Sequence, residues 1–238
     1  MTIALVTSAK AGGLNGATTS SVDTTGATLL VMAVAYNTGS ITVSDSKSNT
    51  WTALTAQSNG SMYVRLYYAA NPTVGAGHTF TVSGSGLAPG FVASAWSGVV
   101  TSSPFDQQVG SGPVGTYTVS APGADITPTE NNEVIISCVS HGAAVTSYSA
   151  ASGSTLVDYQ AYSSGTNYGC GMVYRVQTTA ATLSNSTAVS QWTTAVPLAQ
   201  ASASFKAAAS GATTTTLTGP SSGTNGVAST NFTVGADG

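Results

Sequence analysis

Leu29 to Tyr36, LLVMAVAY, is an unbroken apolar run of strand length, and it constrains the fold more than any other stretch of the chain. Asn37-Thr38-Gly39-Ser40 supplies turn chemistry, Ile41-Thr42-Val43-Ser44 alternates, and Asp45 to Asn49 turns again before Trp51. The stretch therefore reads as strand, turn, strand, turn, strand. Further on, Met62 to Tyr68 alternates, with Met62, Val64, Leu66 and Tyr68 on one face and Tyr63, Arg65 and Tyr67 on the other. Turn signals at Asn71-Pro72, Gly75-Ala-Gly77, Gly84-Ser-Gly86 and Pro89-Gly90 separate two more strands, His78 to Ser83 and Phe91 to Ser97. Short strands at this regular spacing indicate a sandwich or barrel.

A second copy of the plan begins near Glu133. Val134 to His141 matches Leu30 to Asn37 in character, Ala151 to Asp158 takes the place of Lys47 to Leu54, and Met172 to Arg175 echoes Leu66 to Ala69. Ala181 to Ser190 and Ala195 to Phe205 are the counterparts of Gly77 to Gly86 and Phe91 to Val99. The near-constant offset argues for duplication, because unrelated strand patterns would drift. The expected fold is all-β: a duplicated antiparallel β-sandwich over residues 1–206, jelly-roll-like, with two antiparallel sheets face to face and halves at about 1–100 and 130–206. A Gly/Pro/Ser-rich connector carrying one strand, Thr116 to Ser120, joins them. Residues 207–238 read as a linker and a C-terminal extension.

Composition narrows the function. Charged residues make up only 5% of the 238, where soluble domains average about 25%, so Thr, Ser, Asn, Gln and Gly must carry solubility. Disorder would need few hydrophobic residues and high net charge, and here 42% are hydrophobic and the net charge is -3. Lys10, Lys47, Arg65, Arg175 and Lys206 are scattered, which argues against a nucleic-acid partner. No apolar run has the length of a membrane-spanning helix, so no membrane insertion is expected, and the N-terminal stretch lacks the basic region of a secretion signal. Cys138 and Cys170 both fall in core strands, as free buried thiols or as a disulfide, with free thiols favoured at this chain length.

Each chemical candidate has a structural counterpart. Gly219-Pro-Ser-Ser-Gly223 fits a nucleophile-elbow pattern, but no histidine comes after it. His78 and His141 stand near strand ends and read as ordinary surface or edge residues, and Glu130 and Glu133 as a solvated turn. Asp45 and Asn49 could offer oxygens to calcium, or could form an Asx-stabilised turn with Trp51 inserted in the core. No catalytic residue, cofactor site or metal site is expected. Trp51, Tyr63 and Tyr67, with Tyr159 and Tyr162, could form a sugar-stacking platform if they share an exposed face.

Two resemblances add to this. Asp45-Ser-Lys-Ser-Asn-Thr-Trp51-Thr52 resembles a strand-turn pattern of bacterial and phage surface β-sandwich modules, which brings no catalytic residues with it. Thr216 to Val234, TLTGPSSGTNGVASTNFTV, resembles the start of a bacterial immunoglobulin-like repeat. That resemblance makes Leu217, Val227, Phe232 and Val234 candidate residues of an assembly tail, which would add strands to its own body or to a neighbouring chain. The expected function is a non-enzymatic structural or assembly protein in a virion or on a cell surface, such as a phage decoration, fibre or tail subunit or a self-assembling filament. It would form homo-oligomers or contact other virion or surface subunits. The alternative is a carbohydrate-binding or adhesion module whose partners are glycans.

Overall fold

The computed structural model describes residues 2–37, 39–113, 115–119, 125–184 and 190–209. The candidate tail residues Leu217, Val227, Phe232 and Val234, the immunoglobulin-like extension and the Gly219–Gly223 motif lie outside them. Among the described residues the regular structure is all strand. The first half contributes β1 (Ala4–Gly12), β2 (Gly16–Thr18), β3 (Leu29–Tyr36), β4 (Thr42–Asp45), β5 (Thr52–Ala53), β6 (Gln57–Ser58), β7 (Tyr63–Ala70), β8 (Phe80–Ser83) and β9 (Gly90–Ser97). The second contributes β10 (Phe105–Ser111), β11 (Tyr117–Val119), β12 (Glu133–His141), β13 (Ser149–Ala150), β14 (Thr155–Gln160), β15 (Gly169–Gln177), β16 (Ser190–Val196) and β17 (Leu198–Phe205).

The larger sheet of the first half runs β1-β9-β3-β7-β5, with β6 also on β7, and the larger sheet of the second runs β10-β17-β12-β15-β14. The smaller sheets run β2-β8-β4 and β11-β16-β13. The two halves thus have one strand order, and each folds as two antiparallel sheets in a jelly-roll-like crossing pattern. The expectation of two sheets in all is corrected to four among the described residues, stacked small, large, large, small. The reason lies in β3 and β12, every residue of which is buried. A strand apolar on both faces must be covered on both. Leu30, Met32 and Val34 pack outward against Phe80 and Val82 of the small sheet. Leu29, Val31, Ala33 and Ala35 face inward against Val134, Ile136 and Cys138 of the other half. Ile135 and Val139 point to the second half's own outer layers.

This facing also shifts the internal alignment by one residue. Leu30 and Val134, matched in the sequence, point to opposite sides of their sheets, since a one-residue step reverses a strand's faces. In the facing-consistent alignment Trp96 matches Phe205 and Tyr68 matches Tyr174. Trp96 meets the edge of Tyr174 at 4.8 Å between centroids, and Phe205 meets the edge of Tyr68 at 5.5 Å. The edges repeat this reciprocity. Lys10 of β1 pairs with Asp158 of β14 at 2.8 Å, and Gln108 of β10 bonds Thr55, beside β5, through both its amide oxygen (3.0 Å) and its amide nitrogen (2.6 Å). The halves pack as two copies related by a pseudo-two-fold axis, the geometry of an isologous dimer within one chain. Part of the protection that open sheet edges require is therefore supplied by the other half rather than by neighbouring subunits.

Candidate functional site

The Asp45 turn is an Asx-stabilised knot. Asp45 Oδ1 accepts hydrogen bonds from the Lys47 amide (2.8 Å) and Asn49 Nδ2 (3.1 Å), and Oδ2 accepts one from Trp51 Nε1 (2.7 Å). His78 Nε2 lies 3.0 Å from Oδ1, and its Nδ1 lies 2.9 Å from the Thr24 hydroxyl. With both oxygens engaged, the carboxylate has little left for calcium. Burial opposes ionisation, yet the Lys47, His78 and Trp51 donors together hold Asp45 below the usual carboxylate range. Thr24, His78 and Asp45 have the order of a nucleophile, base and acid. Thr24 and His78 are nonetheless 0% exposed, so no substrate can reach the hydroxyl. The chain of bonds ties the loop before β3 to β4 and to the segment leading into β8.

Both histidines depart from the expected surface setting. His141 is also 0% exposed, its ring nitrogens have no hydrogen-bond partner among the described residues, and burial drives its pKa down to about 3. Trp192, Tyr148 and Tyr159 surround it at centroid distances of 4.5, 5.5 and 5.7 Å. Glu133 likewise departs from the solvated turn: it is 0% exposed, and burial with Asp106 close by raises it to about 7. Its Oε1 accepts the Glu130 amide at 3.2 Å, and the Asp106 and Ser204 side chains lie beside the carboxyl. Glu130, by contrast, is exposed and pairs with Lys206 at 3.0 Å. Cys138 and Cys170 are free buried thiols, both pushed up by desolvation, Cys170 to about 12.

The aromatic candidates do not share an exposed face. Trp51 and Tyr63 are half-buried and Tyr67 is 5% exposed, and all three pack between the two sheets of the first half. Tyr63 stacks on Tyr36 at 5.5 Å, Trp51 meets the edge of Phe80 at 6.2 Å, and Arg65 caps Tyr67 at 5.3 Å. This removes the platform expected from Tyr63, Tyr67 and Trp51: the alternation places Tyr63 and Tyr67 on one face, but that face is interior. Tyr159 stacks on Tyr148 at 4.5 Å within the His141 cluster. Tyr162, alone of the five, borders the cleft between the halves.

That cleft, a half-open cavity of about 250 Å³, lies at the end of the sheets where β3 and β12 finish. Leu14, Asn37, Gly86 and Ala88 come from the first half, and Gly142 and the 162–168 loop from the second. The loop is a tight turn: the Thr166 and Asn167 amides both bond Ser163 O at 2.9 Å, and Gly165 supplies a left-handed φ of 70°. Asn167, 4% exposed, braces it from within, donating Nδ2 to Ala161 O (2.7 Å) and Tyr168 O (2.9 Å). The Tyr168 amide then crosses to Ala88 O at 2.9 Å, and a side chain at Gly90 would strike Tyr168 O at 1.9 Å. Sequence reasoning named Tyr162 but missed Asn167 and Tyr168. The cluster Ser163-Ser-Gly-Thr-Asn167 was a visible turn signal, but not a sign of what the turn faces.

No family model matches the chain, and searches of characterised proteins and of solved structures likewise returned no match.

Proposed function

We propose that this chain is a non-enzymatic structural protein that builds an assembly in a virion or on a cell surface, as a decoration, fibre, tail or filament subunit. The observation that carries the reading is the pair of jelly-roll-like halves locked back to back through one apolar core. Jelly rolls serve widely as capsid and lectin domains. A four-layer body with reciprocal seams makes a stiff building block. The groups best suited to proton transfer, His78, His141 and Glu133, are all sealed from solvent, which favours a structural over a catalytic role. The charge-poor surface suits contacts that tolerate changes of salt.

The test compares the full chain with a version ending at Ala209, which keeps the Ala208 amide bond to Gly98 O. Light scattering should find a large particle for the full chain and a smaller one for the shortened chain, with residues 210–238 protected from protease only in the large particle. Identical monomers in both preparations would overturn the assembly reading.

A further inference from the structure

We propose that the cleft between the halves is a binding site for one ring of a neutral saccharide. At the cleft the two halves differ. Residues 161–168 join β14 to β15 in the second half; in the first, β5 and β6 together pair along β7 as β14 pairs along β15, and the connection from β6 to β7, 59–62, is shorter. The added residues form one wall of the cavity. Loops held on a rigid scaffold are where binding groups concentrate.

The lining specifies the ligand class. None of its residues is charged, so phosphate, sulfate and carboxylate ligands find no counterion there. Hydroxyls are available from Ser163, Thr166 and Tyr162, and the half-buried Tyr162 and Tyr168 bring aromatic surface to the same cavity. Aromatic surface with hydroxyl groups suits a sugar ring, which has an apolar face and a rim of hydroxyls. At about 250 Å³ the space is below the roughly 300–1,000 Å³ of drug-sized pockets, which limits it to a terminal or single ring. The bracing by Asn167 and the bond from Tyr168 to Ala88 O hold the wall in place before a ligand arrives, so little ordering is needed on binding.

The experiment is saturation-transfer NMR on the full chain with free glucose, galactose, mannose and N-acetylglucosamine, and with sialic acid as the charged comparison. At least one neutral sugar should receive saturation, and its affinity should not change with salt. Two variants place the site. Tyr162→Ala removes aromatic surface on a loop, and Thr166→Trp fills the cleft from an exposed position; each should weaken binding at least tenfold while the melting temperature stays near that of the parent. The assignment is overturned if no neutral sugar receives saturation, if only sialic acid does, or if both variants bind as the parent does. None of these outcomes bears on whether the protein assembles.

Discussion

Replacing Glu133 by Gln should stabilise the protein in a pH-dependent way. Glu133 opens β12 with its side chain out of solvent, beside Asp106 of β10 and Ser204 of β17. Partial burial favours the neutral form of Asp106, but the Thr129 hydroxyl (2.6 Å) and amide (2.7 Å) hold it ionised below the usual range. Lys206 lies nearby but pairs with Glu130. Glu133 therefore keeps its proton in the folded state to about pH 7, against 4.5 for an unperturbed side chain. Between those values the folded state holds more protons than the unfolded one, so this group lowers stability as pH rises, and the loss above pH 7 reaches about 3 kcal/mol. His141 acts in the opposite sense. Its depressed pKa, about 3 against 6.5, makes stability fall as pH drops below 6.5. The two slopes offset each other between about pH 4.5 and 6.5, so the parent curve is uninformative and the difference between proteins is the observable. By differential scanning calorimetry Glu133→Gln should melt with the parent near pH 4 and about 6–12 °C above it at pH 8. The variant's own stability should climb steeply up to pH 6.5. Parallel curves for the two proteins across this range would refute the assignment of a neutral, buried Glu133.

Other substitutions test the knot, the seam and the thiols. Asp45→Ala strips partners from His78 and Trp51 together and should cost about 3 kcal/mol in chemical denaturation; a loss under about 1 kcal/mol would show that the knot is not structural. Gly90→Ala forces a methyl against Tyr168 O and should destabilise by about 2 kcal/mol, with altered amide resonances at both Ala88 and Tyr168. Cys138 and Cys170 should resist a thiol reagent in the native protein and both react once it is unfolded; labelling of either at native rates would contradict their burial.

Much of the fold was legible because it depends on local pattern. The run Leu29 to Tyr36 is β3 residue for residue, and the alternation of Met62 to Tyr68 places Val64 and Leu66 toward the central core and Tyr63 and Tyr67 away from it. The unbroken apolar character of β3 and β12 also held the fact that each needs cover on both faces, and this is what turns two sheets into four. What local pattern cannot convey is which face is interior, because that depends on partners distant in sequence. Tyr67 is hidden by a small sheet formed from β2, β4 and β8, and Glu133 by Asp106 and Ser204 from other strands. The cleft was the least legible feature, since it joins Leu14 and Asn37 to a loop more than a hundred residues further on.

The proposed role rests on whether the molecule assembles, and sedimentation velocity across a wide concentration range tests that most directly. Assembly predicts a boundary that moves to masses several times the 23.4 kDa of one chain and persists at raised salt. A single species of one-chain mass at every concentration would contradict it.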